Sequence, residues 1–203
     1  MASPEEILQF WFSDSCDSPE LAEKRNSFWF SVDDEVDQQI WTNYADLVVD
    51  AGGDHYRYWT ESAYGQLALI IVLDQFPRNI FRGTSEAYRY DGAALSLASE
   101  GVKKGQLAGL AIPQQAFFLM PYQHSEDIAV QRTGLELMQG LVNEAPDGWQ
   151  NCASTFLDFA RLHHDIVASY GRFPHRNAVV GRTSTEAETR YLAEGGQTFG
   201  QAG

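Results

Sequence analysis

Residues 62–73, SAYGQLALIIVL, form an almost unbroken apolar run that constrains the fold more than any other part of the chain. A helix that is apolar all round has no face to give to water, so it belongs at the centre of a layered structure. Its Ala, Leu and Gln residues favour helix over strand despite the Ile70, Ile71, Val72 triplet. Pro77 disfavours α geometry at Phe76, which predicts a helix end near Gln75. Asp74 then closes the most apolar element of the chain with a carboxylate that is costly to bury unless a cation or several donors meet it.

Around this element the remaining periodicity is helical. Ile7, Leu8, Trp11 and Phe12 share one face of a first helix; Leu21, Phe28 and Trp29 mark a second; Val36, Ile40, Tyr44, Leu47 and Val48 mark a third that breaks at Gly52, Gly53 and Asp54. Asp91 can cap a helix running to about Lys104, with Gly105 as its terminator. Pro113 suits the first turn of the next helix, which Pro121 should interrupt. Ser125, followed by Glu126 and Asp127, reads as the N-cap of a helix carrying Ile128, Leu135, Met138 and Leu141. A further helix runs from about Trp149 to Tyr170 and stops at Gly171, and Thr183 with Glu186 or Thr185 with Glu188 has capping-box spacing for the last. No strand pairs emerge. The expected fold is all-α, about eight helices joined by short loops as a helical bundle or a two-layer array.

At 203 residues with no linker-like stretch, one domain over residues 1–203 is expected. Two cysteines, Cys16 and Cys152, are too few for a disulfide framework and point to a reducing compartment. The start carries no basic stretch followed by an apolar run, and residues 67–73 fall far short of the roughly 20 needed to cross a bilayer, so a cytoplasmic location is expected. A net charge of −14 repels phosphate backbones and anionic membranes, which excludes nucleic acid and membrane surfaces as natural partners.

The polar chemistry concentrates beside two Phe-Pro steps. QFPRN at 75–79 returns, with one insertion, as RFPHRN at 172–177, each time after an apolar helix. Such an echo predicts that the two elements meet in space, with Arg78 and Arg176 near one another or near Asp74. Arg78, Arg172 and Arg176 are the candidate partners of Asp74, either in a buried pair that staples helix ends or in a pocket that also grips a ligand. His163 lies on the stripe of Phe156, Phe159, Ala160, Ile166, Val167 and Tyr170, so it points inward, as a core histidine with one hydrogen bond or as a base or ligand contact. His124 precedes the Ser125 cap, near the positive end of a helix, where its pKa would fall and anion-binding amides would lie beside it. A metal set of Asp74, His124, Glu126, His163 and His175 is chemically conceivable, but no ligand spacing supports it, so neither metal nor cofactor is assigned. Cys152 and His163 lie eleven residues apart on one helix, roughly 16 Å, too far to act as a pair.

The motifs LALIIVLDQFPRN (67–79), PYQHSED (121–127), GRFPHRN (171–177) and the GRTST before the last helix resemble the bacterial and fungal family known as domain of unknown function 924. The resemblance runs from Phe10-Trp11-Phe12 to Gly195-Gly196 and implies antiparallel helix pairs in a tetratricopeptide-like array, with no established reaction. By motif match it carries over Asp74, Gln75, Arg78, Asn79, His124, Ser125, Glu126, His163, Arg172, His175, Arg176 and Asn177. Tyr170 and His164 depart from the family pattern.

Three functions follow as expectations. The first is a pocket for a small anionic or carboxylate-bearing ligand, bound by Arg78, Asn79, His124, Glu126, His163, Arg172, His175, Arg176 and Asn177. The second is a hydrolase-like enzyme with His163 as base, oriented by Asp74, with His124 as a further catalytic candidate. The third is a peptide-binding or scaffold protein using an open face to hold a protein partner. A buried convergence of the polar groups separates the first two from the third.

Overall fold

A computed structural model describes residues 2–53 and 55–201. Asp54, part of the expected break after the third helix, lies outside the described residues. The described chain is all-α and contains no strand. Its helices are α1 (Pro4–Phe12), α2 (Pro19–Phe30), α3 (Asp34–Gly52), α4 (Ala63–Ile70), α5 (Phe76–Ile80), α6 (Asp91–Lys103), α7 (Ile112–His124), α8 (Ile128–Glu144), α9 (Gln150–Tyr170) and α10 (Glu186–Ala193). A π-turn, Ile71–Gln75, joins α4 to α5, and 3-10 turns lie at Arg57–Glu61, Ser85–Tyr88 and Pro174–Arg176. No described helix is long and apolar enough to cross a membrane.

Side-chain caps open six of the helices. Ser3 and Glu6 form a capping box on α1, as do Thr185 and Glu188 on α10, while Ser18, Asp33 and Ser62 cap α2, α3 and α4. The sixth cap differs from expectation. Asp127, not Ser125, caps α8, and Ser125 ends α7 with its hydroxyl accepting from the Asp127 amide. At α6 the expected Asp91 cap is absent: Asp91 is the first helical residue, and its carboxylate is held by arginines instead.

The central element is wholly buried, as its composition requires; Leu67, Ala68, Ile70, Ile71, Val72 and Phe76 have no exposure. It does not stop at Gln75. The Phe76 amide donates to the Ile71 carbonyl five residues back, and this wider turn makes room for the Pro77 ring, which would clash in a regular α-helix. Pro121 likewise fails to interrupt α7, whose last turn, Tyr122 to His124, is buried and held by tertiary packing. Gln131 of α8 donates to the Gln123 and Ser125 carbonyls at 2.6 and 2.7 Å, closing the C-terminal end of α7. Gly134 lets α8 approach there: a Cβ at this position would stand 2.7 Å from the Tyr122 Cβ.

Helices α7, α8 and α9 pack in sequence with tight turns between them, so α7 and α9 run parallel, each antiparallel to α8. Ring contacts give their register: Phe117 meets Phe156 at 6.0 Å between centroids, and seven residues later on both helices His124 meets His163 at 5.7 Å. The main core gathers around Trp11, Phe12, Phe76 and Phe117, and a smaller cluster of Ile166, Val167 and Phe173 lies past His163.

Candidate functional site

The π-turn carries Asp74 and Gln75 into a closed setting in which Asp74 has no solvent exposure. Its Oδ1 accepts from His124 Nδ1 at 2.7 Å and lies 3.4 Å from Arg78 Nη1, while the Gln75 amide donates to Oδ2. Burial alone would raise the Asp74 carboxyl, but His124 and Arg78 outweigh it and hold it below the usual carboxylate range. An ionised carboxylate can only accept, so Nδ1 of His124 carries the proton and Nε2 carries the lone pair. His124 is pushed below its ordinary value by burial and by Arg78, against Asp74. It is the last residue of α7, at the negative end of a helix; the expected positive end follows only if Ser125 is the α8 cap, which it is not.

Asp74 therefore orients His124, and His163 is held otherwise. Its Nδ1 donates to the Phe159 carbonyl one turn back at 2.8 Å, which again leaves Nε2 as the acceptor nitrogen. Burial and the nearby His124 keep its pKa well below the normal imidazole range. Phe199 stacks on the ring with centroids 3.9 Å apart.

The two Phe-Pro elements meet through one carboxylate. Arg78 Nη2 donates to Asp91 Oδ1 at 2.9 Å and Arg176 Nη1 to Asp91 Oδ2 at 3.2 Å. The Arg176 guanidinium lies 4.3 Å from the Tyr88 ring centre and 4.5 Å from that of Phe173, an aromatic clamp. It is 8% exposed, and its buried Nε has no hydrogen-bond partner among the described residues. Neither has the buried Nδ1 of His175, whose pKa burial and Arg176 press down to about 3.

These groups surround a cavity of about 340 Å³. Arg78, Asn79, His124, His163, His175 and Arg176 all line it, the convergence expected from the sequence. Trp29, Phe30, Met120, Phe156 and Phe159 supply an apolar wall that the sequence does not assign to a site. Phe159, placed on the inward stripe of α9, is 42% exposed and stands at the edge of this wall. Residues 197–201 complete the lining: Arg82 donates to the Gly200 carbonyl at 2.8 Å and Gln201 to the Arg78 carbonyl at 2.9 Å. Phe199 sits there with φ at +52°, a conformation costly for a side chain of this bulk.

Three expected ligand contacts lie elsewhere. Arg172 makes a two-pronged pair with Glu188 at 2.6 and 2.8 Å and does not reach Asp74. Asn177 is buried against Ser184. Glu126 accepts from the Phe173 amide at 2.8 Å and pairs with Arg182, lining a second cavity of about 370 Å³ that shares Tyr88, His124 and Arg176 with the first. Asn79 has a double task, donating to Asp37 at 2.8 Å beside Arg82 while facing the cavity. Among the described residues no group of three or more His, Cys, Asp or Glu is placed to hold a metal ion.

A family model described as bacterial protein of unknown function (DUF924) matches residues 7–196. The chain belongs to this family. The DUF924 match takes in every residue that builds the polar end of the cavity, from Asp74 to Arg176. A solved structure, a protein of unknown function from Agrobacterium tumefaciens (ATU0120), is similar to this chain. It is 34% identical, with a TM-score of 0.79, over 95% of this chain and 97% of that one. No curated protein matches the chain.

Proposed function

We propose that the cavity binds a small anionic, carboxylate-bearing ligand, with Arg176 as its anchor. The observation that carries this reading is a buried guanidinium lining the cavity whose one hydrogen bond among the described residues, from Nη1, goes to a carboxylate it shares with Arg78, leaving Nη2 without a partner. Buried donors in proteins are nearly always paired, so an incompletely paired cation lining a cavity is chemically ready for an acceptor. The cavity volume is in the range of small-molecule sites. Convergence of these buried polar groups on one cavity favours this reading over a peptide-binding or scaffold role.

The test is calorimetry and thermal unfolding with acetate, benzoate, citrate and inorganic phosphate. At one hundred times its dissociation constant a bound anion adds about 2.7 kcal/mol. Replacing Arg176 by Gln should weaken binding by about tenfold or more, about 1.4 kcal/mol, and Arg176→Lys should recover part of it. Equal affinity in wild type and both variants would remove Arg176 from the site.

The Asp74–His124 contact supports a second reading, in which the pocket is hydrolase-like. His124 Nε2 would take a proton from a water molecule attacking the carbonyl of a bound ester and return it to the departing oxygen as the ester C–O bond breaks, releasing acid and alcohol, while Asp74 holds the ring and stabilises its charged form. On nitrophenyl esters of small carboxylic acids, His124→Gln should then cut turnover about a hundredfold or more. A wild-type rate no faster than buffer would end this reading and leave the binding role standing.

A further inference from the structure

The wall of the cavity changes character along its length. Helices α7 and α9 run side by side in register, with an aromatic layer at Phe117 and Phe156 and an imidazole layer at His124 and His163; of these, Phe156 and the two histidines line the cavity, while Phe117 is fully buried in the core. Seven residues separate the layers on each helix, roughly 10 Å at about 1.5 Å per residue. Met120 and Phe159, each one turn before its histidine, fill the interval and line the cavity. From α2, Trp29 packs on Phe156 at 6.3 Å and Phe30 stacks on Phe159 at 5.8 Å. Phe30 and Phe159 are 43% and 42% exposed, so the apolar surface continues to solvent instead of closing on itself.

The polar end is balanced in charge. Arg78 and Arg176 face Asp74 and Asp91, and the imidazoles of His124, His163 and His175 are neutral at pH 7 because burial disfavours their charged forms. A single negative charge can be met there by the free donors of Arg176 and by proton uptake on one imidazole, whereas a dianion would leave charge uncompensated in a dry setting.

We propose that the ligand is a monoanionic amphiphile: a carboxylate head at Arg176 and the imidazoles, with an unbranched or aromatic tail of roughly 10 Å lying along Met120, Phe156 and Phe159 against Trp29 and Phe30. This rests on the anion-binding reading above and adds the tail and the single charge. The layered wall selects for length, the balanced head for charge.

The experiment is a calorimetric series on the full chain with acetate, butyrate, hexanoate and octanoate, each below its micellar range, beside octanol, octylamine and succinate. Each methylene that enters the apolar wall should tighten binding about fourfold. Octanoate should exceed octanol and octylamine by tenfold or more, and succinate should bind no better than acetate. Phe159→Ala, a change at a partly exposed ring, should weaken octanoate about tenfold while leaving acetate unchanged; Phe30→Ala makes the same test if the first variant unfolds. Octanoate binding should also take up a proton at neutral pH, visible as a dependence of the measured heat on buffer ionisation enthalpy. Equal affinity for acetate and octanoate would overturn the amphiphile and leave the anion site intact. Octylamine matching octanoate would overturn the charged head. Binding by none of the carboxylates would overturn the anion-binding reading and this inference with it.

Discussion

Asp74 is the residue on which the polar end depends, because it is fully buried and meets His124, Arg78 and Gln75 at once. Breaking a buried pair by neutralising one partner strands the other charge, typically at about 3–5 kcal/mol. Arg78 keeps its second carboxylate, Asp91, so Asp74→Asn belongs at the lower limit, a loss of about 3 kcal/mol in a urea denaturation experiment. A loss below about 1 kcal/mol would mean that Asp91 alone carries Arg78 and that the contact with His124 adds little. The same substitution lets the amide oxygen accept from Nδ1 as before, so His124 keeps its tautomer while losing the charge beside it. Arg78→Met added to Asp74→Asn should then cost much less than Arg78→Met alone in the wild type, since the two groups share one interaction.

At the scale of elements, what can be read in the sequence and what cannot divide along physical lines. An apolar run ending in a carboxylate announces a buried Asp74, and the α9 stripe announces an inward His163, because periodicity is a local property. The repeated Phe-Pro step correctly brings Arg78 and Arg176 together. Asp91, which joins them, reads as a helix cap, since an acid at a helix start suits either role and only the tertiary partner decides. Ser125 and Asp127 are equally good caps for α8, and choosing the earlier one also misplaces His124 in the helix field. Pro77 and Pro121 carry their usual weight as breakers in the sequence; a π-turn at one and dense burial at the other override them. Residues 197–201 carry no readable signal. Their place in the cavity lining depends on Arg82 and Gln201, and an aromatic beside a glycine there resembles any loop.

For the molecule as a whole, three imidazoles held neutral by burial imply a marked acid sensitivity. His124, His163 and His175 have folded pKa values below the ordinary value of about 6.5, so above that pH folded and unfolded chains bind the same protons at these sites. Below it the unfolded chain takes up protons that the folded chain refuses, and stability falls by up to about 1.4 kcal/mol per pH unit for each histidine. For His175 the decline continues towards pH about 3. Relief of self-repulsion in a chain of net charge −14 works in the opposite direction, and about 1 M salt screens it to leave the histidine effect exposed. Urea midpoints at successive pH values in high salt should show this slope, and His163→Gln should reduce it by one proton; a flat profile down to pH about 5 would show that the imidazoles titrate normally. The cavity also occupies a special position in the order of folding. Helices form from near neighbours in the chain, but this site is closed by His124 on Asp74, Arg176 on Asp91, Gly200 on Arg82 and Gln201 on Arg78, pairs 50 to 123 residues apart. Such distant closures carry the largest loop entropy and come late. The helices can therefore be in place while the cavity is still incomplete, because its lining is finished only once residues 197–201 have docked on Arg82 and Arg78.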